Sequence, residues 1–132
     1  MTNESKQQLI VWWVLWAAIL TGLFVIYHYL GGTAAPSRSP SRDSLSWLAG
    51  LAPFAICLII RWVVLPRIGN AQAALALFIF GLAIAEATCF LGLFIFPAHK
   101  QELFALSVLG IVQFVPHFAR RFYAWDDKRP NA

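Results

Sequence analysis

Glu86 is the residue whose type and surroundings most directly suggest chemistry. It lies near the middle of the apolar stretch 71–97, where Glu86 and Cys89 are the only ionisable groups between Ala73 and Phe96. A carboxylate at the centre of a bilayer costs about 3 kcal/mol. We therefore expect Glu86 to face protein and to be protonated at neutral pH. It would serve either as a packing hydrogen bond or as a carrier of protons or cations.

Three further polar side chains are expected at a similar depth. Counting about 1.5 Å per residue from the helix ends places Gln113, Cys57 and Thr21 near the level of Glu86. A neutral carboxyl can donate one hydrogen bond, so the amide of Gln113 is a suitable partner. These four residues form the candidate ion or proton site. Arg61 is predicted to lie several turns away, with its side chain reaching the headgroups.

Small residues follow the same helix at spacings of four, three and four: Gly81, Ala85, Thr88 and Gly92. Such a stripe lets a second helix approach closely. Glu86 lies roughly 130° around the helix from the centre of this stripe, at about 100° per residue. We expect the stripe and Glu86 to contact two different neighbours, one of which could be an identical subunit.

The sequence GLAIAEATCFLGLFIF, residues 81–96, resembles the carboxylate-bearing helix of rotary ATPase proteolipid subunits. In that family a Glu among small residues binds the transported proton or sodium ion, so the resemblance implies that role for Glu86. Neither of the first two apolar stretches carries the family's repeated GxGxGxG, and the chain is not assigned to the rotor. The chain is also similar to small, uncharacterised four-span membrane proteins of bacteria.

The elements that must position Glu86 are four apolar stretches. The chain has 132 residues, of which 60% are hydrophobic and 12% charged, with a mean hydropathy of +0.68. A soluble domain carries about twice that charge fraction. Stretches of roughly 20 apolar residues suffice to span a membrane, and they occur at about 9–30, 45–65, 71–97 and 102–123. We predict a single all-α membrane domain, an antiparallel bundle of four transmembrane helices.

Local signals refine this prediction. Asn70 is a suitable N-cap for the third helix, Pro97 should end it, and Pro53 should bend the second. The Gly-, Pro- and Ser-rich residues 31–44 predict a mobile outer loop. The first stretch has too long an apolar run for a signal peptide, and we expect it to be retained. Trp12, Trp13 and Trp16 near its start are typical of an aromatic belt at the membrane interface.

Several classes of function find no support in the residues. There is no glycine-rich phosphate loop, no nucleophile elbow, and no Cys or His pattern with metal spacing. The net charge of +4 comes from residues at helix ends, which favours a role in topology over nucleic-acid binding. We therefore expect no enzyme activity and no cofactor. A structural or accessory membrane protein, in a homo-oligomer or a larger complex, is the main hypothesis, and proton- or cation-linked transport through Glu86 is the alternative.

The distribution of Lys and Arg predicts the orientation, with both termini in the cytoplasm of a bacterial inner membrane. With four spans, seven basic residues share the side of the termini and three lie on the other. The seven are Lys6, Arg61, Arg67, Arg120, Arg121, Lys128 and Arg129. A reporter that works only in the cytoplasm should be active when it is fused to the C-terminus. A reporter that works only on the outer side should be active when it is inserted within 31–44. A C-terminus on the outer side would contradict this topology.

Overall fold

The regular secondary structure in the part of the chain that the structure describes is entirely helical, as the sequence predicts. The computed structural model describes residues 3–32 and 46–123, and no strand occurs within these ranges. Most of the predicted outer loop and the polar tail lie outside the described residues. A helix satisfies its own backbone hydrogen bonds, which is why long apolar stretches adopt it.

Four helical segments are long and apolar enough to cross a bilayer, and they correspond to the four predicted spans. They are, in chain order, Asn3–Gly31, Leu48–Arg67, Ala71–Ile95 and Pro97–Tyr123, called here the first to fourth segments. The first begins earlier than predicted because its polar head continues the helix. The fourth also begins earlier, at Pro97, because residues 98–101, between the predicted third and fourth stretches, are helical.

The first segment is α-helix along its whole length, the third and fourth are mainly α-helix, and the second combines nine α-helical residues with 3₁₀ and π turns. The α-helices are α1 (Asn3–Gly31), α2 (Leu51–Ile59), α3 (Ala71–Phe90), α4 (Lys100–Val112) and α5 (Arg120–Tyr123). Short 3₁₀ turns lie at Ser46–Gly50, Leu65–Arg67, Pro97–His99 and Pro116–Ala119, and π turns at Ile60–Val64 and Leu91–Ile95. Pro53 lies in the first turn of α2, where backbone N–H groups have no partner within the α-helix. The missing N–H of Pro53 therefore removes little hydrogen bonding from α2.

The ends of α3 follow from single residues. The side chain of Asn70 accepts a hydrogen bond from the backbone N–H of Gln72 at 2.8 Å, which confirms the predicted N-cap. At the other end Phe96 leaves the helical conformation, with φ −123° and ψ 61°. Pro97 then begins the fourth segment, since proline is favoured in the first turn of a helix. The third and fourth segments are thus joined by a very short connection.

The stripe of small residues on the third segment faces the fourth segment. A Cβ atom added to Gly81 would overlap the ring of Phe114, and one added to Gly92 would lie 2.9 Å from the Cβ of Leu103. Between these points a Cβ on Gly110 would lie 3.0 Å from the Cβ of Ala85. Thr88 is also buried. Glycine therefore lets large side chains of one segment fill the space against the backbone of the other.

Trp12 joins the first segment to the end of the fourth. It is only 1% exposed, and its ring packs against Phe78, Phe118 and Phe122 at centroid distances of 4.9, 5.5 and 6.3 Å. Its Nε1 donates a hydrogen bond to the hydroxyl of Tyr123 at 3.1 Å. Trp12 is therefore part of the helix contacts and not of a lipid-facing belt as expected.

The close approach at Gly81 yields a prediction. Gly81→Ala should lower the free energy of unfolding by about 1–3 kcal/mol, because the new methyl group must displace the buried ring of Phe114. Gly22→Ala is the matched control, since nothing lies within 4 Å of a Cβ at that position. Unfolding in mixed detergent micelles measures both. Equal effects of the two substitutions would contradict the packing described.

Candidate functional site

Glu86 lies at the edge of α3, between its buried and its exposed face. The side chain is half-buried, with the buried Leu82 and Cys89 one turn away on one side and the exposed Ala83 on the other. It forms no hydrogen bond or ion pair with any residue that the structure describes. The carboxyl group is therefore within reach of a group outside this chain.

The three expected partners of Glu86 are placed differently from one another. Thr21 is exposed on the outer surface of the first segment. Cys57 is buried, and its Sγ donates a hydrogen bond to the carbonyl of Gly81 at 3.3 Å. The side-chain amide of Gln113 is buried, with no partner for its nitrogen or its oxygen among the described residues. The structure thus does not join these residues and Glu86 into one hydrogen-bonded layer.

The contacts between α3 and the fourth segment explain why Gln113 does not meet Glu86. The pairings Gly81 with Phe114 and Ala85 with Gly110 place Glu86 level with residue 109 and Gln113 level with residue 82. Four residues of helix separate the two levels by about 6 Å. The sequence-based count assumed that the fourth segment begins at residue 102, whereas it begins at Pro97. The extra helical residues shift the register by about one turn.

A break in the fourth segment creates a polar site that includes Gln113 of the predicted layer together with residues outside that layer. Pro116 has no N–H to offer the carbonyl of Val112, and it keeps Val115 extended, with φ −46° and ψ 124°. Val112 instead accepts from the N–H of Val115 at 3.1 Å, and His117 donates to Val115 at 2.8 Å. The carbonyl of Gln113 is thereby left without a helical N–H.

Side chains from two other segments donate to the carbonyls at this break. Arg61 of the second segment donates from Nε to the carbonyl of Gln113 at 2.7 Å. Its guanidinium also lies 4.5 Å from the ring centroid of Phe118. Trp16 of the first segment donates from Nε1 to the carbonyl of Ile111 at 2.9 Å. Arg61 is thus half-buried against the fourth segment.

This arrangement can hold an irregular backbone within an apolar environment. Non-helical backbone at membrane depth is tolerated only where other groups satisfy its carbonyls. Among the described residues no group of three His, Cys, Asp or Glu side chains could hold a metal ion. A signal was present in the sequence, since a proline inside an apolar segment frees a carbonyl that requires a donor, and Arg61 is a charged donor within another apolar segment.

Comparisons with known proteins do not add to this geometry. No protein-family model, no curated protein and no solved structure matches the chain.

The Arg61 hydrogen bond yields a second prediction. Arg61→Met should lower the free energy of unfolding by about 1–3 kcal/mol, because it leaves the partly buried carbonyl of Gln113 without a donor. Arg67→Met is the matched control, since Arg67 is exposed. The measurement is unfolding in mixed micelles.

The same experiment in a Pro116→Ala background tests whether the break at Pro116 is the reason that the carbonyl of Gln113 needs Arg61 as a donor. Alanine restores an N–H at residue 116 and lets the helix continue, so His117 can donate to Gln113. The effect of Arg61→Met should then become smaller. An effect of Arg61→Met no larger than that of Arg67→Met would refute the proposed role of Arg61.

Proposed function

We propose that this protein is a non-enzymatic integral membrane protein that acts as a structural or accessory component of a membrane complex. In this proposal its four apolar segments form an antiparallel transmembrane bundle. The outward-facing side chains support it, since large hydrophobic residues are exposed on all four segments. They include Val14 (59%), Trp62 (64%), Phe94 (66%) and Leu109 (57%). A surface of this kind is matched by acyl chains or by other transmembrane helices.

The observation that carries the proposal is the position of Glu86. Glu86 is half-buried at the edge of α3, next to the exposed face of that helix, and its carboxyl has no hydrogen-bond partner among the described residues. A carboxyl group facing acyl chains is unfavourable by about 3 kcal/mol. Lateral association with another transmembrane helix would give it a hydrogen-bond partner and remove that penalty. The partner is a second copy of this chain or a subunit of a larger complex.

The charge distribution supports the orientation in a bacterial inner membrane with cytoplasmic termini. Arg61, Arg67, Arg120 and Arg121 all lie at the end of the molecule where the second segment meets the third and the fourth segment ends. Lys6 lies in the first turns of α1. This part of α1 contacts the same end of the molecule, because Trp12 donates a hydrogen bond to Tyr123. Basic residues that cluster on one side of the spans favour the cytoplasmic side.

Proton- or cation-linked transport through Glu86 is the second candidate. It is favoured by the same half-exposed carboxyl, because a group that exchanges a proton or cation must be reachable from outside the bundle. The structural role needs only a hydrogen-bonding side chain at residue 86. The transport role needs a group that can ionise.

Substitutions at Glu86 separate the two roles. Glu86→Leu should weaken the oligomer or complex by about 1–3 kcal/mol, since the group across the interface loses its partner. Glu86→Gln should leave assembly intact, and Glu102→Gln is the control for loss of a carboxylate at an exposed helix end. Native electrophoresis of membrane extracts and analytical ultracentrifugation measure assembly. For the transport role, Glu86→Gln should abolish ion-dependent activity without changing assembly.

Infrared spectroscopy provides an independent test. A protonated Glu86 should give a carboxyl band at neutral pH that disappears in Glu86→Gln and persists in Glu102→Gln. A monomeric protein in native membranes, together with a carboxylate signal from Glu86 at pH 7, would refute both the association and the neutral state.

A further inference from the structure

A cleft opens at the end of the molecule that carries the basic residues. Its volume is about 390 Å³, and it is lined by Pro66, Ile68, Gly69, Arg121 and Phe122. Pro66 lies in the last turn of the second segment, and Ile68 and Gly69 belong to the short connection to the third. Because a connection between two spans lies where the hydrocarbon ends, the cleft lies at headgroup level if the chain is inserted as proposed.

The guanidinium of Arg121 is held at this cleft by hydrogen bonds that use only some of its N–H donors. Its guanidinium donates to the carbonyls of Leu65 and Pro66 and lies 4.6 Å from the ring centroid of Phe122. A guanidinium has five N–H donors in a planar fork, so two bonds to carbonyls leave others available. The residue is exposed. A planar donor held by carbonyls and a ring is a suitable group for binding a phosphate.

The charge at this end is not balanced within the described chain. Arg61 and Arg121 are close enough for their charges to interact unfavourably. Neither forms an ion pair with a carboxylate in the ranges that the structure describes. Arg67 and Arg120 add two exposed positive charges nearby in the sequence. An anion at the cleft would relieve this repulsion.

We propose that the cleft binds the phosphate group of an anionic phospholipid headgroup, with Arg121 as the principal ligand. Basic pockets at the ends of transmembrane helices are suited to such headgroups. The lipid is favoured over a free anion because a membrane-level cleft next to the apolar ring of Phe122 can contact both the headgroup and the start of an acyl chain. This inference rests on the proposed membrane insertion, and it is independent of the role of Glu86.

The test uses the full chain, purified in detergent and delipidated, then incubated with phosphatidylglycerol or phosphatidylcholine. Native mass spectrometry should show tighter retention of phosphatidylglycerol, by about fivefold for each basic side chain that contributes. Arg121→Gln should remove that preference. Arg120→Gln, which makes the same charge change at a neighbouring residue outside the cleft lining, should keep it. Arg121→Lys should keep part of it, because the charge remains and the fork is lost.

A measurement on the unaltered protein covers the case in which Arg121→Gln does not fold. Phosphatidylglycerol with a photoreactive headgroup should crosslink to peptides containing residues 66–69 or 121–122. Crosslinks elsewhere, or an equal loss of preference in Arg120→Gln and Arg121→Gln, would overturn the site. Displacement of the lipid by an equal concentration of inorganic phosphate would overturn the lipid assignment in favour of a soluble anion. Failure of the chain to enter vesicles at all would instead refute the insertion on which the proposal rests.

Discussion

The hydrogen bond from Arg61 to the carbonyl of Gln113 is the interaction on which one end of this molecule depends. Pro116 breaks the fourth segment and leaves that carbonyl without a helical donor. Arg61 supplies the donor, and Trp16 supplies another to Ile111. Three segments are thereby linked at one irregular point. The residues beyond the break, which end in Tyr123, are held against the first segment by Trp12.

The two polar features of the structure differ in kind. The backbone carbonyls at the break accept hydrogen bonds from within the chain: Arg61 donates to Gln113, and Trp16 adds a second donor to Ile111 beside the N–H of Phe114. The carboxyl of Glu86, by contrast, lies at the edge of α3 and has no hydrogen-bond partner among the described residues. The first feature explains how the fold is held, and the second is the basis for proposing that it associates with another membrane helix.

The placement of Glu86 depends on glycine. Gly81 and Gly92 bring α3 so close to the fourth segment that Phe114 and Leu103 pack against its backbone. This contact uses the buried face of α3 and turns Glu86 to the flank. The stripe and the carboxyl are thus on different sides of one helix, as the roughly 130° between them requires. A larger residue at Gly81 would change both the packing and the direction in which Glu86 points.

The sequence by itself determined the four apolar segments, their helical state and the N-cap at Asn70, because hydropathy, length and capping are local properties. It also identified Glu86 as the ionisable group in mid-segment. The tertiary structure alone decided the partners of these groups. A connection shorter than expected at Phe96 shifted the fourth segment by about one turn, so Gln113 moved away from Glu86. The pairing of Arg61 with the carbonyl freed by Pro116 was also decided by the tertiary structure. The depth at which two segments meet depends on their packing and connections and not on either segment alone.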